Sequence, residues 1–455
     1  MRYYLGIDIG TFSSKGILID EYGKAVAHAS VPHGMENPKP GYYEQDAEAV
    51  WWNDFCSLSN QLIQKSGIPA EQIAAVGAST LGADCLPVDE HCRPLRKAIL
   101  YGIDSRCTEE IEELTAYYGR PMYREDGQIR REMCEPVCSP EQLSEGRCVT
   151  SIAGVVTEEA ARETGLNAGT PVITGTGDSA AEAISVGVVA PGELMVQFGS
   201  SVFFYCCTDH MVVDDRVRGN TFLIPDTFSI AAGTNNGGTV QKWYLDQVFP
   251  ECKKQEEEEG KNAYASMMEG LEQISPGSDG LITLPYFAGE RTPINDPNAR
   301  GMIFELTTMH TKQHLYHSLL EGIGYSVAQH MDIFQEHGLE LKRIKAAGGG
   351  TNNALWMQMI ADITGFPVEV TEEKSGACYG DALMAAIGDA RYQCFSELKT
   401  VIRASAVYYP DEEKYKAYQK FRNMYDILYE KNKELMHQLS IAGSYLPVKS
   451  DDRIP

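Results

Sequence analysis

The chain has 455 residues, of which 43% are hydrophobic and 23% charged, and its formal net charge is −25. This length exceeds one compact core, so we expect two domains, and the composition is typical of a globular protein. So acidic a surface repels phosphate backbones and anionic lipid, and we therefore expect no nucleic acid and no membrane as partner, whereas one nucleotide held by local donors is compatible with it.

The sequence has no features that direct a chain to a membrane or out of the cell. No stretch reaches the ~20 consecutive apolar residues of a transmembrane helix, and the N-terminus runs directly into a strand pattern without a signal peptide. Twelve scattered cysteines are typical of reduced thiols. Cys134, Cys138 and Cys148 lack the paired spacing of a zinc site, and we do not favour a metal there. The expected location is cytoplasmic.

The first predicted element is a strand–turn–strand unit over residues 5–20, with Gly10 and Thr11 at its turn. A glycine lets a backbone N–H approach an anion closely, and hydroxyls add donors for phosphate oxygens. Asp8 ends the first strand, where a carboxylate can hold a magnesium ion through water. The pattern indicates a phosphate-binding hairpin, although an ordinary hairpin turn has the same local pattern. Lys15 either faces the phosphate or is a surface residue of the strand without a role in binding.

The next elements alternate between helix and strand. Apolar residues at helical spacing predict a helix over residues 46–66, and a buried strand over 73–78 leads into a turn at 79–82. Asp104 and Arg106 follow another strand, and an exposed ion pair is the simplest interpretation of them. The remaining predictions for this part of the chain are a strand over 24–31, a strand over 98–100, a helix over 108–118 and an irregular surface segment over 119–150.

Asp178 is the strongest candidate for a catalytic residue. It lies in the glycine-rich turn 175–179, which follows a predicted strand over 171–174 and opens a predicted helix over 180–185. A carboxylate held there can take the proton from a substrate hydroxyl as that hydroxyl attacks phosphorus, and such a general base contributes ~10²–10⁴-fold. Aspartate is also a good N-cap irrespective of function, so the local sequence leaves both roles open.

The second half of the chain repeats the pattern of the first half. Residues 193–205 form another strand–turn–strand unit with Gly199 and Ser200 at its turn, and the pair of hairpins suggests a duplicated domain that closes on a nucleotide from both sides. The glycine run 348–350 either lies against a nucleotide or makes a tight strand-to-helix turn, and we favour the nucleotide. The other predictions are a helix over 157–164, a strand over 282–285, a core helix over 311–336, a strand over 344–347, a helix over 355–363 and a helical tail after 412. Alternating strands and helices indicate an α/β protein.

Taken together, these segments resemble the FGGY family of carbohydrate kinases. The matching segments are GIDIGTFSSK (6–15), GYYEQD (41–46), AILYGIDSR (98–106), GTGDSAA (175–181), GERTP (289–293), RGMIF (300–304) through EG (321–322), and GGG (348–350) through AD (361–362). The segment YGIDSR is most similar to the xylulose-kinase-like branch. The resemblance implies the duplicated actin/hexokinase-like (ribonuclease H-like) ATPase fold, with a sugar-side domain over 1–188, a nucleotide-side domain over 189–440 and a tail over 441–455.

The resemblance also implies an activity, which is the phosphorylation of a small sugar or polyol by ATP and Mg²⁺. A ketopentose such as D-xylulose is the predicted substrate, and a homodimer is one assembly to consider. Asp178 would activate the sugar hydroxyl, Asp104 would lie near the sugar, and Asp8 would help to hold Mg²⁺. The residues implied to bind the nucleotide are Asp8, Gly10, Thr11, Lys15, Gly199, Ser200, Gly349, Gly350 and Asn353.

Two departures from the family pattern concern the sugar side. The segment between Arg106 and Val149 is several dozen residues shorter than in the family, and the turn at 79–83 lacks both the Gln-Met-His of xylulose kinases and the Arg-Glu of glycerol kinases. These departures motivate a rival hypothesis, a weak or inactive member that keeps the nucleotide clamp and serves as a regulatory binding protein. An actin-fold ATPase that acts on a protein is a third. Asp178 discriminates among them, because only a sugar kinase needs that base.

Overall fold

The structure, a computed structural model, describes residues 1–82, 84, 86–110, 113, 116, 138–142 and 146–443. The strands of the first half are β1 (Tyr3–Ile9), β2 (Ser13–Asp20), β3 (Ala25–Pro32), β4 (Glu44–Gln45), β5 (Ile73–Thr80), β6 (Ala98–Ile99), β7 (Ile152–Val155), β8 (Pro171–Ile173) and β9 (Thr176–Gly177). Those of the second half are β10 (Leu194–Phe198), β11 (Val202–Thr208), β12 (Arg218–Thr221), β13 (Phe228–Gly233), β14 (Ile282–Leu284), β15 (Met302–Phe304), β16 (Ile344–Ala347), β17 (Val368–Thr371) and β18 (Ala404–Tyr408).

The described α-helices are α1 (Asn53–Ser66), α2 (Glu158–Thr164), α3 (Asp178–Ser185), α4 (Gly238–Gln247), α5 (Pro250–Glu259), α6 (Ala263–Met267), α7 (Lys312–Glu336), α8 (Ala354–Thr364), α9 (Ala377–Gly388) and α10 (Glu412–Gly443). Most predicted helices and strands are therefore present with shifts of a few residues. The helix predicted over 46–66 begins as a π-helical turn, Ala47–Trp52, before α1. Asp46, the first residue of the predicted helix, caps it, because its side chain accepts hydrogen bonds from the backbone N–H groups of Glu48 and Ala49.

Two mixed sheets form the framework of the described chain, and their topologies repeat. The first sheet has the strand order β3-β2-β1-β5-β8-β7, with β9 beside β5, and the second has the order β12-β13-β11-β10-β16-β17-β18. In the first sheet β3, β2 and β1 are antiparallel and β5 lies parallel to β1. In the second, β13, β11 and β10 are antiparallel and β16 lies parallel to β10. This repeat confirms the predicted duplicated α/β fold.

Helix α9 comes from the second half of the chain but packs on the sheet of the first half. Glycines make the close approach feasible, since a Cβ on Gly6 of β1 would lie 1.9 Å from the carbonyl oxygen of Cys378. A Cβ on Gly77 of β5 would lie 2.3 Å from the carbonyl oxygen of Asp381. One buried apolar cluster accordingly contains residues of both halves, among them Tyr4, Ile17, Ile184, Met195 and Leu383. The predicted division at residue 188 stays a prediction, and the two sheets share this core.

Several predictions lie outside the described residues. They are most of the helix predicted over 108–118, most of the surface segment predicted over 119–150 with Cys134, and the tail beyond residue 443. Within the described part of the chain, no helix is both long enough and apolar enough to cross a bilayer. The long helix α7 carries its predicted apolar stripe into the core of the second half, where Leu319, Ile323, Val327 and Met331 are buried.

Candidate active site

Four carboxylates meet near the carboxyl ends of β1 and β5. Asp8 is the penultimate residue of β1, Asp178 and Glu182 lie one turn apart on α3, and Asp381 lies on α9. The Ser79 hydroxyl on β5 joins two of them: its Oγ lies 2.6 Å from Oδ2 of Asp381 and 3.3 Å from Oδ1 of Asp8. The neighbouring strands and helices therefore bring together acids that are far apart in the sequence.

Burial and mutual repulsion hold protons on this cluster. Burial and, to a smaller extent, the Asp178 carboxylate raise the pKa of Asp8 to about 6, and Lys15 opposes the change. Burial likewise raises the pKa of Glu182 to about 7, with Asp8 as the next contributor. Such a site favours a bound cation. Among the described residues no group of three or more His, Cys, Asp or Glu side chains is arranged to ligate a metal directly. A magnesium ion here would therefore retain several of its waters.

Asp178 is the first residue of α3 and does not cap it. Gly177 occupies the cap position, so the N-cap alternative considered from the sequence is wrong, and the helix starts two residues earlier than predicted. Oδ1 of Asp178 accepts hydrogen bonds from the backbone N–H of Ser179 at 2.6 Å and from its hydroxyl at 3.2 Å. Oδ2 has no hydrogen-bond partner among the described residues. Burial raises the pKa of Asp178, and Oδ2 is left to accept a proton from a ligand.

The turn of the first hairpin is held in place by the segment GYYEQD. Within the turn, the backbone N–H of Gly10 donates to the carbonyl oxygen of Ser13 at 3.2 Å. Nε2 of Gln45 donates to the carbonyl oxygen of Thr11 at 2.9 Å, and Nε1 of Trp51 donates to Oε1 of Gln45 at 2.9 Å. Gln45 is buried, so this amide fixes the loop that follows Asp8.

The turn of the second hairpin is tied to the start of α4. The backbone N–H of Gly199 donates to the carbonyl oxygen of Ser201 at 3.0 Å. The N–H groups of Gly238 and Thr239, in the first turn of α4, donate to the carbonyl oxygens of Gly199 and Ser200 at 2.9 and 3.0 Å. These bonds use the carbonyl groups of the turn and leave the N–H and hydroxyl of Ser200 at the edge of a cavity.

That cavity has a volume of about 660 Å³, which is within the usual range for a small-molecule site. It brings together the predicted residues Gly199, Ser200, Gly349, Gly350 and Asn353. A Cβ on Gly349 would meet nothing within 4 Å, so Gly349 leaves the cavity floor open. A Cβ on Gly350 would lie 2.6 Å from Cβ of Phe198 and 2.7 Å from the Trp356 ring, so Gly350 serves packing.

The opposite wall of the cavity was missed by the sequence analysis. It consists of Thr239, Gln241 and Lys242 on α4 together with Asn262 and with Tyr264, Ala265 and Met268 in and after α6. Oη of Tyr316 donates to Oε1 of Gln241 at 2.9 Å, which orients the Gln241 amide. The double glycine at 237–238 was the available signal, since consecutive glycines are typical of places where two backbone segments approach closely.

The predicted first-hairpin residues do not line this cavity and lie on the side of the carboxylate cluster. Lys15 is directly opposite Asp8 in the β1–β2 pairing, so the two side chains project from the same face. The Lys15 side chain also lines a separate recess with His28, Lys65 and Ser375. The structure thus brings Lys15 close to Asp8 and separates it from the predicted residues of the second hairpin.

Asp104 forms a buried ion pair, so the expectation of an exposed pair is wrong. Only 3% of the Asp104 side chain and 11% of the Arg106 side chain are exposed. Arg106 binds both carboxylate oxygens of Asp104, at 2.6 to 2.9 Å, and also reaches Glu44 at 2.8 Å. The backbone N–H of Tyr43 donates to Asp104 at 2.7 Å. These bonds lower the pKa of Asp104 to about 2 and occupy the carboxylate in holding the loop.

Two further residues on the side of the carboxylate cluster, Asp84 and Tyr101, were missed by the sequence analysis. Oδ1 of Asp84 accepts the backbone N–H of Tyr101 at 2.6 Å, and Oδ2 is buried without a partner among the described residues. Burial raises the pKa of Asp84 to about 6, and the charge of Asp178 is a smaller contributor to this increase. Asp84 follows the turn at 79–83, whose departure from the family pattern was the signal in the sequence that this region differs.

The repeated mixed sheets, each with a glycine-containing hairpin, are those of the two-halved actin/hexokinase-like ATPase fold. Profiles of the two domains that make up one such family match residues 3–138, as "FGGY family of carbohydrate kinases, N-terminal domain", and residues 194–388, as the C-terminal domain of the same family. The chain belongs to the FGGY family of carbohydrate kinases, as its resemblance indicated, and enzymes of this family take their phosphoryl group from ATP.

Relatives match over nearly their whole length. A xylulose kinase of Bacillus subtilis is 25% identical, with 96% of this chain and 98% of that protein covered, and a gluconokinase of the same organism is 24% identical, with 97% and 98% covered. The alignment with the former is 501 residues long, so that relative contains stretches without a counterpart here. The fold of xylulose kinase from Rhodospirillum rubrum superposes with a TM-score of 0.84 at 24% identity, covering 96% of this chain and all of that one.

Proposed function

We propose that the chain transfers the γ-phosphoryl group of ATP to a hydroxyl of a small sugar or polyol, with Asp178 as the general base. The observation that carries the proposal is the free Oδ2 of Asp178, held at the start of α3 beside the carboxylate cluster. D-Xylulose, the ketopentose predicted from the sequence, is the first substrate to assay, because several relatives are xylulose kinases. The sugar side is assigned to residues 1–188 and the nucleotide side to residues 189–440.

Asp178 acts on the proton of the attacking hydroxyl. As the sugar oxygen bonds to the γ-phosphorus and the bond to ADP breaks, the hydroxyl proton passes to Oδ2 of Asp178. The raised pKa of Asp178 makes it a stronger base than an exposed aspartate, provided that the pH keeps it ionised. The two hydrogen bonds from Ser179 orient the carboxylate, and positioning is most of what phosphoryl transfer asks of a protein.

The nucleotide is assigned to the cavity beside the second hairpin. Gly199 and Ser200 are placed to contact phosphate, and Gly349, Gly350 and Asn353 to lie along the adenosine. Oδ1 of Asn353 caps α8 by accepting a hydrogen bond from the backbone N–H of Trp356 at 3.1 Å, and this bond fixes the orientation of the Nδ2 amide group of Asn353. Gly10 and Thr11, whose loop is fixed by Gln45, would approach the γ-phosphate from the other side.

The residues present fit a magnesium ion, and Asp8 would hold it. The Asp8 carboxylate is enclosed, and its contact with Ser79 is long for an O–H···O bond, at 3.3 Å. It also lies within electrostatic reach of Asp178 and Glu182. Oxygen ligands of this kind suit Mg²⁺. When bound, the ion neutralises charge on the phosphates, while Asp8 fixes its place relative to Asp178.

The test is ADP release with Mg-ATP and D-xylulose, compared with a blank without sugar, for the wild-type protein and for Asp178→Asn. We expect Asp178→Asn to bind ATP with unchanged affinity and to lose at least ~10²-fold in kcat. Asp411→Asn is a matched control, because Asp411 caps α10 away from the site and asparagine caps equally well. Unchanged turnover in Asp178→Asn would refute the mechanism, and ATP binding without stimulation by any sugar would favour a regulatory nucleotide-binding protein.

A further inference from the structure

Two arginines of the second half face the loop that carries Tyr101. Arg218 begins the edge strand β12, and its Nη1 donates to Oη of Tyr101 at 2.9 Å. Arg291 follows Glu290 in the segment GERTP, and its Nη2 donates to the carbonyl oxygen of Thr234 at 2.7 Å. Tyr101 belongs to the first half of the chain, so Arg218 makes a contact between the two halves.

The two guanidinium groups are close enough to repel each other. Burial lowers the pKa of Arg291, Glu290 opposes the change, and the neighbouring charge of Arg218 lowers it further. No ion pair is formed by Arg218 or Arg291 with a carboxylate of the described residues. Other arginines do form them: Arg2, Arg96, Arg106, Arg216 and Arg343 all pair with acids. Arg218 and Arg291 are thus two neighbouring arginines with no acid partner among the described residues, in a chain whose net charge is −25.

Most donors of this pair have no partner among the described residues, and those of Arg218 face solvent because that residue is exposed. A guanidinium group has five N–H donors, and one hydrogen bond from each arginine is found here. Both acceptors are neutral, a phenol oxygen and a carbonyl oxygen. Arginine is the side chain best matched to a planar carboxylate, which it binds through two parallel N–H···O bonds. An anion that lay against Arg218 would satisfy these donors and relieve the repulsion.

The pair is next to the sugar side of the site. The backbone N–H of Tyr101 donates to Asp84 at 2.6 Å, and Asp84 lies within electrostatic reach of Asp178. Tyr101 therefore links Arg218 to Asp84 through two hydrogen bonds, and Asp84 in turn lies within electrostatic reach of the proposed base. A substrate that placed a hydroxyl at Asp178 and an acidic group at Arg218 would lie across Tyr101.

We propose that Arg218, supported by Arg291, binds a carboxylate of the substrate, so that a sugar acid is a better substrate than the neutral sugar of the same skeleton. The inference rests on the proposed kinase activity and refines its substrate class. The chemistry is unchanged by it: a hydroxyl of the acid attacks the γ-phosphorus, its proton passes to Asp178, ADP leaves, and the carboxylate takes no part in bond making. Two relatives are gluconokinases, which makes D-gluconate a natural first probe.

The experiment compares acids with matched neutral polyols, D-gluconate with D-glucitol and D-xylonate with xylitol, in the ADP-release assay with Mg-ATP, alongside D-xylulose. We expect kcat/KM to be at least ~10-fold higher for the acid of a pair. Arg218→Gln should raise KM for the acid about 10- to 100-fold, the usual effect of losing a hydrogen bond to a charged group, and leave KM for Mg-ATP unchanged. Arg218→Lys should recover part of the loss, since it keeps the charge without the fork.

Arg216→Gln is the matched control, because Arg216 lies two residues away and is already paired with Asp214 and Glu336. It should leave KM for the acid unchanged. Three results would overturn the inference: equal turnover of acid and polyol, an Arg218→Gln variant with unchanged KM for the acid, or a rise in KM for Mg-ATP instead, which would assign the pair to the nucleotide phosphates.

Turnover of neutral sugars alone would leave the proposed function intact and remove only the sugar-acid inference. Lack of turnover with every compound would refute the proposed function, and a binding measurement then decides the inference separately. D-Gluconate and D-xylonate should raise the thermal midpoint of the wild-type protein in the absence of ATP, and of Arg216→Gln equally. The shift should disappear in Arg218→Gln, and no shift in the wild-type protein would overturn the inference.

Discussion

The contact between α9 and the first sheet makes a sharp prediction for Gly6→Ala. A Cβ at this position would lie 1.9 Å from the carbonyl oxygen of Cys378, 2.6 Å from the backbone nitrogen of Ala382 and 3.0 Å from its Cβ. Two of these atoms belong to the backbone of α9, so no change of side-chain rotamer relieves the clash. The helix must move away from β1 by well over an ångström, and its other contacts with the sheet must open with it.

The expected cost follows from the size of that displacement. Overpacking a tight core by one methyl group costs typically ~1–3 kcal/mol and occasionally more. Because rigid backbone is the obstacle on two sides, we expect Gly6→Ala to lie at about 3 kcal/mol or above. For domains of 150–250 residues ~1 kcal/mol corresponds to ~2–4 °C in Tm, so the midpoint should fall by about 6–12 °C. Catalysis should fall as well, since Asp8 is two residues further along β1 and Asp381 lies on the displaced helix.

Thermal unfolding followed by circular dichroism measures the effect, with Gly154→Ala as the matched control. Gly154 also lies in a strand, β7, but a Cβ there would meet nothing within 4 Å. Removing a glycine without a clash reduces the entropy of the unfolded chain and is neutral or stabilising by up to ~1 kcal/mol. Equal midpoints for Gly6→Ala and Gly154→Ala would show that α9 does not contact β1 as closely as the structure has it.

Three further predictions concern the cavity, the buried ion pair and the acidic cluster. Gly349→Ala extends into open space and should raise KM for Mg-ATP several-fold without changing Tm, whereas Gly350→Ala should lower Tm because its Cβ would meet Phe198 and Trp356. Steady-state kinetics measure the first effect and thermal unfolding the second, and equal effects of the two variants would contradict the assignment of the cavity to the nucleotide. Arg106→Gln leaves Asp104 without its partner, whereas Glu44 keeps its ion pair with Arg96, and should cost ~2–3 kcal/mol in chemical denaturation, less than the ~3–5 kcal/mol of fully buried pairs. A cost below ~0.5 kcal/mol would mean that Arg106 does not hold Asp104. Glu182 has a folded-state pKa of about 7 and so binds more protons in the folded than in the unfolded state; its contribution to stability is fully present below pH ~4 and is lost as the pH rises through ~7. Glu182→Gln should flatten the resulting decline in Tm between pH 5 and 8. An equally steep decline in the variant and in the wild-type protein would exclude Glu182 as its source.

Local patterns predicted most of the individual elements. The hairpin around Gly10, the apolar stripe of α7 and the capping of the first helix by Asp46 all depend on near neighbours in the chain. The role of Asp178 at its helix was less accessible, because a cap and a first helical residue differ by one position, and aspartate is common at both. The ion pair of Asp104 was predicted, but its burial depends on Tyr43 and Glu44, which approach from about sixty residues away.

What the sequence determined by itself was the periodicity of helices and strands, the two hairpins and the order of the segments that the family shares. These are properties of residues close together in the chain, where spacing alone carries the information. Only the tertiary structure decided that Asp381 and Asp8 share the Ser79 hydroxyl, that α9 crosses to the first sheet, and that Arg218 meets Tyr101 across the two halves. Each of these contacts joins positions more than one hundred residues apart, and it exists because burying apolar faces leaves few arrangements in which every backbone group is paired.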